Sequence, residues 1–142
     1  MRNDGGTKAA RRMINKWAAF KNEVPTLLGN QAVTFFKQSF RNQGFTDSSL
    51  GAWQRRKVID TGRATLVKSG ALRNSVRLAY ATMAKTSVIS DLPYSAIHNY
   101  GQYGKAWGKH PFKMPKRKFM GVSHELNKKA LLLIRLKLNR VF

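Results

Sequence analysis

The sequence predicts an α+β fold in one domain, 1–142, with N-terminal helices and a C-terminal helix packed on a small, mainly antiparallel sheet. Two patterns carry this expectation. Apolar residues recur at three- and four-residue steps near both ends of the chain, and residues 76–90 alternate apolar with polar around a turn. Helices at the ends with strands between them give an α+β arrangement, and 142 residues suit a single core.

Residues 7–43 read as helix in two pieces. Ala10, Met13, Trp17, Phe20 and Val24 form the apolar side of the first, with Arg11, Arg12, Lys16 and Lys21 mostly elsewhere on the wheel. Pro25 interrupts the run and suits the first turn of a second piece, where Leu28, Ala32, Phe35, Phe36 and Phe40 make an aromatic stripe expected in the core. Gly44 is the expected stop.

Residues 45–69 carry little periodicity and are expected to form a long loop anchored by Trp53. Residues 70–99 hold a turn at Ser69-Gly70 and a hairpin, with strands around Val76, Leu78, Tyr80 and over 86–90 and a turn at 81–85. Residues 100–122 read as an irregular basic loop with Pro111 and Pro115. The final helix spans 123–140, with Ser123 as N-cap, Glu125 in the first turn, and Lys137 and Arg140 near the end, where positive charge complements the helix dipole.

Charge sets the search for function. Lys and Arg number 27 against six acids, a formal net charge of +21. A domain so charged repels itself, so a polyanion or an acidic partner is the natural counterweight. No segment approaches the roughly 18 apolar residues of a membrane span, and no membrane partner is expected. The N-terminus lacks the apolar stretch of a signal peptide, so the expected setting is the cytoplasm or a particle assembled there.

Catalysis finds little support. Cysteine is absent, which removes thiol nucleophiles and zinc–thiolate sites. The acids Asp4, Glu23, Asp47, Asp60, Asp91 and Glu125 are dispersed, whereas two-metal chemistry needs convergent carboxylates. His98, His110 and His124 have no helical ligand spacing, and His98 reads first as a packed structural histidine. No catalytic residue, metal or cofactor is expected. A small nuclease using His98 or His124 as base is the weakest of the readings weighed.

The strongest nucleic-acid signal lies between 105 and 118. Lys105, Lys109, Lys113, Lys116, Arg117 and Lys118 are interleaved with Trp107, His110 and Phe112, without one acid. Cations displace counterions from phosphates, and aromatic rings offer stacking. The same stretch suits an arm lying on an acidic neighbouring subunit, and both readings stay open. Nothing resembles a recognition helix, so binding would be sequence-independent, as in a packaging or ribosome-associated protein.

Four patches, in order, resemble the phage virion morphogenesis (tail-completion) family. The first is Phe40-Arg41-Asn42-Gln43-Gly44-Phe45 followed by Trp53. The second, Lys68-Ser69-Gly70-Ala71-Leu72-Arg73-Asn74-Ser75-Val76, is similar to that family's Thr/Ser-Gly-x-Leu-Arg-x-Ser-Ile/Val signature. Tyr94-Ser95-Ala96-Ile97-His98-Asn99-Tyr100-Gly101 resembles a Tyr-Ala-x-Ile-His-x-x-Gly pattern. Met114-Pro115-Lys116-Arg117-Lys118-Phe119-Met120-Gly121-Val122-Ser123 is like Pro-x-Arg-Pro-Phe-Leu-Gly-Leu-Ser. Ser95 stands where Ala is usual, and Lys118 replaces a proline.

In this light Trp53, Ser69, Gly70, Leu72, Arg73, Tyr94, His98, Gly101 and Phe119 are the expected structural and assembly residues. Ser69 is expected to cap the turn and Leu72 and Val76 to enter the core. Tyr94, Ile97 and His98 should wedge that core, with Gly101 releasing the chain and Arg117 and Phe119 pinning the far end of the loop. The resemblance implies a virion subunit of a tailed phage, at the neck or tail end. It would form a homo-oligomeric ring, with a hexamer favoured over a dodecamer, around double-stranded DNA and against other neck, connector and tail proteins. The 45–69 and 101–118 loops would be its assembly loops.

Overall fold

The structure, a computed structural model, describes residues 4–56, 64–106 and 108–142. Its spine is α1, Asp4–Asn42, one continuous helix rather than the two pieces expected. Pro25 lies within it and is buried. A proline there removes the bond to the carbonyl four residues back and costs about 3 kcal/mol. That carbonyl belongs to Lys21, an exposed residue. Buried Phe20 and Val24 before Pro25, and Phe36 and Phe40 after it, tie both halves to one body and offset the loss. The apolar stripe of the first turns is not core, because every residue from 4 to 19 is exposed.

Helix α1 ends at Asn42, two residues before its expected glycine. Gln43 takes the left-handed conformation at φ 53°, and Gly44 already belongs to a strand. The Gln43 side chain fixes this end: its Nε2 donates to Phe40 O (2.6 Å) and Thr65 O (3.1 Å), and its Oε1 accepts from Thr65 N (2.7 Å). The expected loop therefore contains structure. Strands β1 (Gly44–Thr46) and β2 (Leu50–Ala52) form an antiparallel hairpin. Residues 57–63 of that expected loop lie outside the described residues.

Gly70 (φ 74°) precedes α2, Ala71–Ser75, and Ser69 Oγ accepts from Ala71 N (3.3 Å), as expected. The predicted hairpin follows as β3 (Val76–Ala81) and β4 (Thr86–Ser90), antiparallel, with a bulge between Leu78 and Tyr80. Gly29 of α1 lets this hairpin approach: a Cβ there would meet Leu78 Cδ1 at 2.4 Å. Residues 95–100, not assigned from sequence, form the short helix α3, Ser95–Tyr100. The expected basic loop contains a third hairpin, β5 (Tyr103–Ala106) with β6 (His110–Lys113). The single sheet expected is thus three separate two-stranded ribbons.

Helix α4, His124–Val141, begins as the sequence indicates. Ser123 Oγ accepts from Leu126 N (3.1 Å) and donates to Thr46 O (2.7 Å). It runs antiparallel to α1: Lys129 O accepts from Gln31, Lys137 Nζ pairs with Glu23 (2.6 Å), and Lys16 Nζ reaches Val141 O (3.3 Å). The turns of α1 before Lys16 extend beyond that pairing.

The core gathers Phe36, Phe40, Phe45, Trp53, Leu72, Val76 and Phe119 from six segments. Phe40 is its centre, edge-on to Trp53 (5.5 Å between centroids) and tilted against Phe119 (5.2 Å). Such aromatic pairs add about 0.5–1.5 kcal/mol each beyond the area they bury.

Candidate functional site

The resembling patches converge on one side of the core. Trp53 Nε1 donates to Lys118 O (2.7 Å), and Arg117 Nε donates to Gln54 O (3.1 Å), so 53–54 and 117–118 clasp each other. Arg117 N donates to His98 O (2.8 Å), which adds α3 to the clasp. Gly101 ends α3 in the left-handed conformation at φ 67°, where a Cβ would lie 2.7 Å from Lys116 N. Both the conformation and the close approach select glycine.

Asn99 completes the junction and was missed in the sequence, where its position between His98 and Gly101 reads as variable. It is buried, accepts from Phe119 N (2.9 Å) and Met120 N (3.0 Å), and donates to Met120 O (3.2 Å). An asparagine two residues before a chain-reversing glycine is the one local hint.

The six basic candidates separate into two groups. Lys105, Lys109, Lys113 and Lys116 are exposed on the β5–β6 hairpin and its stem. Lys113 Nζ sits 5.4 Å from the Tyr103 ring, itself 76% exposed. The hairpin makes no extensive contact with another element among the described residues. Trp107, one of the three aromatic residues expected to offer stacking, lies outside the described residues.

Arg117 and Lys118 pack on the body rather than on the hairpin. Arg117 is 7% exposed, and Lys118 Nζ lies 4.4 Å from the Phe45 ring and 3.4 Å from Val122 O. The reason is covalent: Phe119, 1% exposed, drags its two predecessors inward with it.

Around Arg117 lies a pocket of about 380 Å³, walled by Arg56, Leu66, Lys68, Leu72, Tyr94 and His98 among others. Tyr94 meets the His98 ring edge-on at 6.1 Å. His98 Nδ1 is buried without a hydrogen-bond partner among the described residues. Burial, and secondarily the Arg117 charge, hold the imidazole pKa below its ordinary value. Burial, then the neighbouring Arg56 charge, also push the Arg117 guanidinium down. Arg73, the remaining motif residue, is exposed on α2. Ser75, Ser90 and Ser95 link α2, β4 and α3 through hydroxyl contacts of 2.6 Å.

None of this assembles a reaction centre from the described residues. Asp47, Asp91 and Glu23 pair with His124, Arg77 and Lys137 at separate places, and no group of three metal-ligating side chains forms among the described residues. No helix among them is long and apolar enough to cross a membrane.

Compared with known families, residues 7–139 match the phage virion morphogenesis family. The chain belongs to that family. The match spans all four patches and most of both terminal helices. Searches against curated proteins and against solved structures returned no match. Membership makes the chain a phage morphogenesis protein of a structural family.

Proposed function

We propose that the chain is a tail-completion or neck subunit that closes into a homo-oligomeric ring at the head–tail junction, with double-stranded DNA passing through the lumen. The observation that carries this reading is the β5–β6 hairpin. It projects exposed Lys105, Lys109 and Lys113, without an acid, in a chain that belongs to a virion morphogenesis family.

The physics supports the pairing of ring and polyanion. Copies at +21 repel one another, and of the described acids Glu23, Asp47 and Asp91 are already engaged within the chain. Contacts between copies must therefore be largely apolar, and phosphates in a lumen would neutralise what remains. Uncharged surface exists for this purpose. A groove of about 740 Å³ between α1, β4, α3 and α4 is lined by residues such as Val88, Tyr100, Met120, Val122 and Leu126, with no charged residue in its lining. Head-to-tail contacts of such a surface with a different one on the next copy close by rotation.

The experiment is genetic and structural. Phage assembled without this chain should accumulate filled heads and tails that fail to join, and supplying the chain in trans should restore joining. Normal particles without it would refute the reading. A sequence-independent nucleic-acid-binding role outside the particle, for packaging, is the second reading, since the same exposed cations serve it. It predicts full DNA binding by the free monomer and no position in the finished particle.

A further inference from the structure

We propose that the pocket between Arg56, Lys68, His98 and Arg117 is a receptor for a carboxylate carried on an acidic segment of another protein. The starting point is an imbalance. Arg117 is nine-tenths buried and spends its Nε on Gln54 O (3.1 Å), while Arg56 spends one terminal nitrogen on Ala64 O (3.0 Å). Both line the same pocket, beside Lys68. The ion pairs among the described residues lie elsewhere, at Asp91, Asp47 and Glu23. Like charges gathered in a partly dry site cost free energy unless an anion joins them.

A second observation points into the same space. His98 lines the pocket, and its Nδ1, sealed from solvent, has no hydrogen-bond partner among the described residues. A carboxylate seated on Arg56 and Arg117 would accept several charge-assisted bonds and let His98 protonate and donate as one more. Leu66, Ala71, Leu72 and the Tyr94 ring form the apolar remainder of the lining. This mixture suits the methylene stem and carboxylate of a glutamate side chain. A duplex phosphate fits less well, because it rides on a rigid rod that cannot enter a recess, and the exposed hairpin lysines already offer it a better surface. Seven of the lining residues come from the three later motif patches, Lys68–Leu72, Tyr94–His98 and Arg117, and Arg56, Thr65 and Leu66 complete the recess from the segment between the first and second patches. The inference does not depend on where in the virion the subunit sits.

The test uses the full chain, with a glutamate-rich peptide, inorganic phosphate and a short DNA duplex as probes at constant ionic strength. Nuclear magnetic resonance follows the Arg117 Nε–H and the His98 ring. The peptide should move both signals saturably and raise the pH at which His98 titrates. Arg56→Gln with Lys68→Gln, two changes outside the core, should weaken this by about tenfold or more, the loss expected for charge-assisted bonds. Lys105→Gln with Lys109→Gln should leave it unchanged. Equal peptide response in the Arg56→Gln/Lys68→Gln protein would overturn the proposal. So would phosphate or duplex moving these signals while the peptide does not. The sequence holds one carboxylate between Arg56 and Ala64, Asp60, and Asp60→Asn should bind the peptide as the parent does. Binding that emerges only in Asp60→Asn would show the recess to be satisfied from within and would also overturn it.

Discussion

The amide of Asn99 holds the backbone of Phe119 in the core, accepting its N–H at 2.9 Å and that of Met120 at 3.0 Å. The same segment is clasped to the body by the Trp53 bond to Lys118 O, the Arg117 bonds to Gln54 O and His98 O, and the seat of Phe119 against Phe40. Replacing Asn99 by Leu keeps the volume and removes all of the amide's bonds. The Phe119 N–H is then buried without a partner, at a cost of about 1–3 kcal/mol before the loss of the other two bonds. Denaturant unfolding should show a destabilisation of about 3 kcal/mol in total. A variant within half a kcal/mol of the parent, a difference typical of about any surface change, would show that the clasp does not rest on Asn99.

Gly101 makes the complementary prediction. Gly101→Ala must place a side chain at φ 67° and within 2.8 Å of Lys116 Cα. Left-handed backbone alone costs about 1–2 kcal/mol for alanine, and the contact with main chain cannot be relieved by a rotamer change. The melting temperature should fall by more than it does for Gly108→Ala. Gly108 is also left-handed (φ 72°), but a Cβ there meets nothing within 4 Å. Equal losses at the two positions would contradict the close packing of α3 on the 114–120 segment.

His98 gives the chain a pH dependence of known sign. Its folded pKa is held below the ordinary 6.5, chiefly by burial and then by Arg117. The unfolded chain therefore binds this proton more readily than the folded one. The contribution is fully present above pH 6.5 and is lost as pH falls through the window from 6.5 down to the lowered folded value. Unfolding free energy measured across that window should decline with falling pH in the parent and decline less steeply in His98→Asn. The same slope in both proteins would assign the decline to other groups.

Much of this architecture was legible in the sequence, and the misreadings share a cause. Ser123, Ser69-Gly70 and the alternation from Val76 to Ser90 act through neighbours in the chain, so local pattern reveals them. Pro25 was read as a break because its local cost is real, and the burial of Phe20, Val24, Phe36 and Phe40 that overrides it is tertiary. The hairpins at 44–52 and 103–113 fall where the sequence predicts loop, because their strands are three and four residues long and a ribbon so short shows little alternation. Charge alone does not separate Arg117, which packs on the body, from Lys105 and Lys109, which stay outside; the resemblance, not the charge pattern, sets Arg117 apart.

The exposed lysines make the DNA part of the account quantitative. Changing Lys105, Lys109 and Lys113 to Ser should reduce duplex affinity equally for unrelated sequences. It should also flatten the dependence of log affinity on log salt by about one for each phosphate contact removed. Binding isotherms at several salt concentrations measure this. An unchanged slope would move the DNA-facing surface away from the β5–β6 hairpin.

The most direct test of the central claim is electron cryomicroscopy of intact particles carrying a labelled copy of this chain. The account predicts a closed, rotationally symmetric ring of this chain at the head–tail junction, with the β5–β6 hairpins facing the DNA. Finding the chain elsewhere in the particle, in isolated copies without symmetric contacts, or absent from finished virions would contradict it.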